Sequence, residues 1–201
     1  MINSISNWRY IFLDTSVIID LLQNPERFKK NEKHRNRIID TQNLFQYFKQ
    51  SKKKEEKKYV FYVSSITIAE LTVDLGEDLF TILLKVFNAG DLTFVDFTKE
   101  IAFSISENVR DFVPGYSYHQ LIRHIEKNIE NDNAIINTRN WIEDDVKIAS
   151  SAKLLSSLDV VLTADEKTFS PICENLKIPF VKTSQLPKDM FNEIDFNKRF
   201  N

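Results

Sequence analysis

The hydrophobic and polar positions of this chain alternate between two periods, one typical of strands and one typical of helices. The short apolar run at 9–13 predicts a buried strand, and apolar positions at helical spacing follow it at 15–23. Four more runs rich in aromatic and β-branched residues predict strands. These strands are expected at 59–65, 91–97, 159–165 and 178–183.

Helical patterns separate the strands. The segment RIIDTQNLFQYFKQ places its large apolar residues on one face of an amphipathic helix, and SSITIAELTVDL predicts a helix that carries Glu70. A further helix is expected to open at Glu143, and extra helices are expected at about 98–140. Strands that alternate with helices predict an α/β domain spanning 1–201, with a central parallel sheet of about five strands and helices on both faces.

Composition narrows the class of protein. With 201 residues, 42% of them hydrophobic, the chain can form one sizeable core. Cys173 is the only cysteine and the three histidines show no zinc spacing, so a disulfide framework and a cysteine-based zinc site are excluded. No signal peptide and no long apolar run is visible, which predicts a cytoplasmic protein without a membrane segment.

Charge is distributed unevenly along the chain. The formal net charge is -2, yet the segment 27–58 contains twelve Lys or Arg against four acids. We interpret about 26–58 as a basic insertion in which Lys52, Lys53 and Lys54 bind phosphates. The alternative is that the run KQSKKKEEKK is only a solvated loop or helix end.

Four acids are expected at one rim of the predicted sheet. Asp14 directly follows the first strand and Asp165 follows the strand VVLT, so both lie at carboxyl ends of strands, where α/β sheets bind ligands. Asp145 near a helix N-terminus and Glu70 in an early turn of another helix can point to the same rim.

A cluster of four carboxylates needs a compensating cation. Two unit charges ~4 to 5 Å apart repel by roughly 3 to 4 kcal/mol at an effective dielectric constant of about 20. Oxygen ligands without histidine or thiolate favour Mg²⁺, or Mn²⁺ as the second choice. Such an ion stabilises the charge that develops on a phosphodiester and activates the attacking water.

The ordered motifs resemble those of the PIN-domain nucleases. FLDTSVIIDLL resembles the first-strand motif, VSSITIAEL the segment with the acidic Glu, DDVKIASSA the helix that begins Asp-x-x-Ile-Ala, and VLTADEKTF the Thr-x-Asp segment. The resemblance implies a PIN-like fold and a metal-binding, catalytic quartet, with two polar neighbours that orient the acids. The quartet is Asp14, Glu70, Asp145 and Asp165, and the neighbours are Ser16 and Thr163.

Many bacterial members of this family are toxins of VapC type. The resemblance therefore implies a metal-dependent endoribonuclease, the toxin of a type II toxin–antitoxin pair, with an antitoxin partner and a homodimeric state. A non-catalytic PIN-like protein that binds RNA or serves as a scaffold is the alternative. A phosphatase with an aspartyl nucleophile is disfavoured, because Ser16 stands where a second Asp is needed.

Each acid also has a purely structural interpretation. Asp14 could cap the following helix, and Asp165 could be a turn residue. Glu70 could be a surface residue of its helix. Asp144 is a second choice for the third acid, since both it and Asp145 suit the first turn of a helix.

Overall fold

The computed structural model describes residues 5–55, 58–75, 83, 89–112, 120, 123, 125 and 138–186. All five predicted strands are present within about two residues of their expected bounds. They are β1 (Tyr10–Leu13), β2 (Val60–Ser64), β3 (Asp91–Val95), β4 (Val160–Thr163) and β5 (Phe180–Lys182).

Helices connect these strands. They are α1 (Thr15–Leu22), α2 (Glu32–Glu55), α3 (Ser65–Leu75), α4 (Lys99–Phe112), α5 (Thr138–Lys153) and α6 (Phe169–Asn175), with short 3₁₀ helices at Ile5–Asn7, Pro25–Phe28 and Thr183–Gln185. Among the described residues, no helix is long and apolar enough to cross a membrane.

The sheet is parallel throughout, with strand order β3-β2-β1-β4-β5. From β1 the chain builds outward on one side through β2 and β3, and then crosses to add β4 and β5 on the other side. The change of direction places the topological switch point between β1 and β4. Ligands of open α/β sheets bind outside the carboxyl ends of the strands at such a point.

Side chains of the central strands point alternately to the two faces of the sheet and belong to two separate apolar layers. Ile11 and Leu13 lie in one buried cluster, with residues of α1 and α2, while Phe12 lies in the other, with residues of α5 and α6. All four residues of β4 are buried. This burial on both faces confirms the expected α/β class, with a five-stranded parallel sheet covered by helices on both sides.

The basic segment contributes to the core as well as to the surface. Ile38, Leu44 and Phe48 of α2 are fully buried, as the amphipathic pattern predicted. Of the additional helices expected at about 98–140, α4 is present, and α5 begins at the end of this range. Most of 113–137 lies outside the described residues.

Candidate active site

Asp14 lies at the switch point, directly between β1 and α1. Its backbone N–H donates to the carbonyl oxygen of Leu162 at 3.0 Å, which ties it to the neighbouring strand β4. The residue is 2% exposed. It occupies the N-cap position of α1, but its side chain makes no capping hydrogen bond. The capping interpretation of this carboxylate is therefore wrong.

Two hydroxyl groups hold the Asp14 carboxylate instead. Ser16 Oγ and Thr163 Oγ1 both donate to Oδ2, the latter at 2.8 Å. Ser16 Oγ also accepts from the N–H of Ala164 at 2.9 Å, and Thr163 Oγ1 accepts from the N–H of Asp165 at 3.0 Å. The hydroxyls of Ser16 and Thr163 thus fix the position of the Asp14 carboxylate.

Asp165 follows β4 and shapes the turn into α6. Its Oδ1 accepts backbone N–H groups of Lys167 at 2.7 Å and Thr168 at 3.1 Å, and its Oδ2 accepts the Thr168 hydroxyl. These contacts agree with the turn interpretation. They also fix the carboxylate at the carboxyl edge of the sheet.

Glu70 is half-buried and lies within α3. Its Oε2 accepts the hydroxyl of Thr15 at 2.5 Å, and the Thr15 hydroxyl lies 3.1 Å from that of Thr67. The contact joins α3 to the first turn of α1, next to Asp14. The surface interpretation of Glu70 is therefore wrong.

The helix that carries Asp145 begins earlier than expected. The sequence predicted a start at Glu143, whereas α5 begins at Thr138, because the buried Ile142 continues the apolar stripe one turn before Val146. Asp145 consequently lies in mid-helix, and the helix dipole does not account for it.

Asp144 and Asp145 face different surroundings. Asp144 forms an ion pair of 2.6 Å with Lys147, and the side chains of both residues are 35% exposed. Asp145 lies close enough to Asp14, Asp165 and Glu70 for their charges to act on it. The arrangement favours Asp145 as the fourth member of the acid cluster.

Burial and mutual repulsion change the acidity of this cluster. The pKa of Asp14 is raised from 3.8 to about 7, mainly by burial and also by the charges of Asp165 and Glu70, while the hydroxyls of Ser16 and Thr163 oppose the shift. Burial and then the charge of Asp14 raise the pKa of Asp145 well above its ordinary value. A nearby cation would stabilise the ionised form of both carboxyl groups.

The oxygen atoms of the acid cluster are of the type that binds a hard divalent cation. The cluster offers carboxylate and hydroxyl oxygens, which Mg²⁺ and Mn²⁺ prefer. Within the described part of the chain, however, no three acids, histidines or cysteines converge closely enough to hold an ion as they stand. Binding would require the four carboxylates to draw together, with the cation offsetting the repulsion that contributes to the raised pKa values of Asp14 and Asp145.

Three residues near the acids were not assigned a role from the sequence. Thr168 donates its hydroxyl to Asp165 and also lowers the pKa of Asp145. Asp20 is fully buried and forms two hydrogen bonds of 2.8 Å with Arg37. The position of Asp20 on the helix after the first motif indicated in the sequence that it could lie near the site. No sequence feature indicated its partner Arg37 on α2.

The three lysines expected to bind RNA lie near the other end of α2. Lys52 is half-buried, and the side chains of Lys53 and Lys54 lie outside the described residues. With a rise of about 1.5 Å per residue, Lys52 is ~29 Å along the helix from Lys33. Lys33 is at the end nearer the acids, since it pairs with Glu166, the neighbour of Asp165.

Comparison with solved structures shows a likeness in fold. No family model matches the sequence, and no curated protein matches it significantly. A similar solved structure is the crystal structure of VapBC2 from Rickettsia felis bound to a DNA fragment from their promoter. The match has 16% sequence identity and a TM-score of 0.43, and it covers 86% of this chain and 98% of that chain.

Proposed function

We propose that this chain is a divalent-metal-dependent endoribonuclease that hydrolyses RNA phosphodiester bonds in the cytoplasm. The supporting observation is the acid cluster itself. Asp14, Glu70, Asp145 and Asp165 come from four separate segments, and their charges act on one another at the carboxyl edge of the sheet. Buried acids with raised pKa values are typical of functional sites.

The four acids would hold Mg²⁺ or Mn²⁺. A bound ion of this kind supplies charge stabilisation to the phosphodiester and lowers the pKa of the attacking water. The surrounding hydroxyls keep the acids in place. Ser16 and Thr163 fix Asp14, and Thr15 fixes Glu70.

Cleavage of total RNA in Mg²⁺, in Mn²⁺ and in EDTA tests the proposal. We expect cleavage with either ion and none with EDTA. Asp145→Asn should abolish it, because one ligand charge is lost. Asp144→Asn is the matched control, since Asp144 pairs with Lys147, and it should cleave at nearly the wild-type rate. Full activity of the Asp145→Asn protein would refute the site assignment.

A non-catalytic RNA-binding or scaffold protein is the second candidate. It is favoured by one observation, namely that no three potential ligands among the described residues converge on a point. This candidate predicts that RNA binds equally well in EDTA and in Mg²⁺ and stays intact in both. The same cleavage assay, read beside a binding curve, separates the two candidates.

We further propose that the ribonuclease is the toxin of a type II pair, with an antitoxin partner and a homodimeric state. The support is the order and completeness of the four motifs. Induced expression of the wild type should then arrest growth, and expression of Asp14→Asn should not. A small neighbouring reading frame with a DNA-binding pattern would indicate the antitoxin, and sedimentation of the purified chain measures the dimer.

We also propose that the run of Lys52, Lys53 and Lys54 contributes affinity for RNA phosphates. If Lys52, Lys53 and Lys54 each contact one phosphate of a single strand, replacing all three with Ala lowers the slope of log K against log salt by about 2. An unchanged slope would assign the run to a solvated helix end.

A further inference from the structure

A cavity of about 400 Å³ opens directly beside the acid cluster. It lies between the start of α2 and the loop that joins β4 to α6. Ser16 and Asp165 form the side nearest the acids, and Ser16 is the residue that donates to Asp14. A molecule in this cavity would therefore touch the outer edge of the proposed active site.

Three cationic side chains line the cavity: Lys33, Arg37 and Lys167. Arg37 is held rigidly, because its guanidinium forms two hydrogen bonds with the buried Asp20 and reaches the carbonyl oxygen of Ala164 at 3.5 Å. The ring of His34 lies against this guanidinium at 3.2 Å. The wall of the cavity thus presents a fixed guanidinium whose charge is balanced by Asp20 and whose position, more than its net charge, suits it to contact a phosphate.

The two other cations are at the opening. The Lys33 side chain is 80% exposed and pairs with Glu166 at 3.0 Å, and Lys167 is exposed on the facing loop. An ammonium has three donors, so the single contact with Glu166 leaves Lys33 able to bind an incoming anion. Two exposed ammonium groups at the mouth and one fixed guanidinium inside suit a ligand that extends outward.

The two carboxylates of the lining are already engaged. Glu166 accepts from Ser184 at 2.7 Å and from Lys33, which lowers its pKa. Asp165 accepts the N–H groups of its own turn. Donors therefore surround both carboxylates, and their repulsion of an anion is reduced relative to bare charges.

We propose that this cavity binds a backbone phosphate of a single-stranded nucleic acid, one adjacent to the phosphodiester placed at the acids. The inference rests on the proposed nuclease function and assigns to it a substrate subsite. It places phosphate recognition at the start of α2, in addition to any contact made by Lys52, Lys53 and Lys54 near its other end.

The test measures binding without cleavage. A fluorescent single-stranded RNA is titrated with protein in EDTA over a series of salt concentrations. The variant is Lys33→Gln with Lys167→Gln, two exposed positions whose change leaves the core intact. The control is Arg9→Gln with Lys177→Gln, which removes the same charge at exposed positions preceding β1 and β5. Those positions lie at the opposite edge of the sheet.

Loss of this one phosphate contact should lower the slope of log K against log salt by about 0.7, the value per phosphate on a single strand. At 0.1 M salt this corresponds to roughly 5-fold weaker binding, from the same relation. The control should keep the wild-type slope. A single-stranded DNA of the same sequence should show the same loss, since the subsite contacts phosphate.

A wild-type slope in the Lys33 and Lys167 variant would overturn the inference, and so would equal losses in variant and control. Absence of RNA binding by the wild type would overturn it as well. Its failure is distinguishable from failure of the proposed function. If the wild type binds RNA through this cavity but does not cleave it, only the proposed nuclease function is refuted. If the wild type cleaves RNA but the variant keeps the wild-type slope, only the proposed phosphate subsite is refuted.

Discussion

Replacing Asp14 with Asn removes a charge from the centre of the acid cluster while preserving its shape. The Asn side-chain oxygen can still accept from Ser16 and Thr163, which both donate to Asp14 Oδ2. What disappears is a carboxylate that is 2% exposed and repelled by Asp165 and Glu70. In the absence of metal, the variant should therefore be more stable than the wild type at alkaline pH.

The size and sign of this effect follow from the pKa. In the folded chain the pKa of Asp14 is about 7, against 3.8 ordinarily. Between these two values the folded state holds a proton that the unfolded state has lost, so stability falls as pH rises through this window and levels off above it. A shift of this size costs the wild type at most about 4 kcal/mol. We expect Asp14→Asn to recover about 1 to 4 kcal/mol at pH 8 and almost nothing at pH 4.

Thermal denaturation in EDTA at pH 4 and at pH 8 measures the effect. For a domain of this length about 1 kcal/mol shifts Tm by ~2 to 4 °C, so the variant should melt at least ~2 °C higher at pH 8. Asp144→Asn is the matched control, because this partly exposed acid pairs with Lys147, and it should show no such gain. Added Mg²⁺ should raise Tm of the wild type more than that of Asp14→Asn, through binding linkage.

The reasoning would be refuted if Asp14→Asn melted at or below the wild-type temperature at pH 8 in EDTA. An equal gain at pH 4 and pH 8 would also contradict it, since the repulsion exists only when the carboxylate is ionised. A gain in both Asp14→Asn and the Asp144→Asn control would show a general effect of net charge instead.

Three further predictions concern the supports of the site and the packing of the sheet. Asp165→Ala should lose about 1 to 2 kcal/mol relative to Asp165→Asn in urea denaturation, because only Asn can still accept the N–H groups of the turn. Arg37→Met should lower the free energy of unfolding by about 3 to 5 kcal/mol, because it leaves the buried Asp20 without its ion-pair partner. Adding Asp20→Asn should restore part of this loss in a double-mutant cycle. Gly90→Ala should cost about 1 to 3 kcal/mol in the same assay, because a Cβ there would lie 2.6 Å from the Phe61 ring.

The sequence determined the strands and most of the helices, because burial on a regular backbone imposes a periodicity that can be read locally. It also placed Asp14 and Asp165 at strand ends, since a polar residue directly after a buried run marks the edge of a sheet. The motif resemblance named Ser16 and Thr163 as supports. The start of α5 was misjudged, because Ile142 lies beyond polar residues and its burial depends on the packing of other elements.

Only the tertiary structure decided which groups meet. Thr163 donates to Asp14 across 149 residues of chain, and this contact exists because β4 was inserted beside β1. Arg37 reaches Asp20 because α2 packs against α1. The choice between Asp144 and Asp145 depended on the rotation of α5 against the sheet. Local patterns cannot specify such pairings, because they result from packing between elements that are distant in sequence.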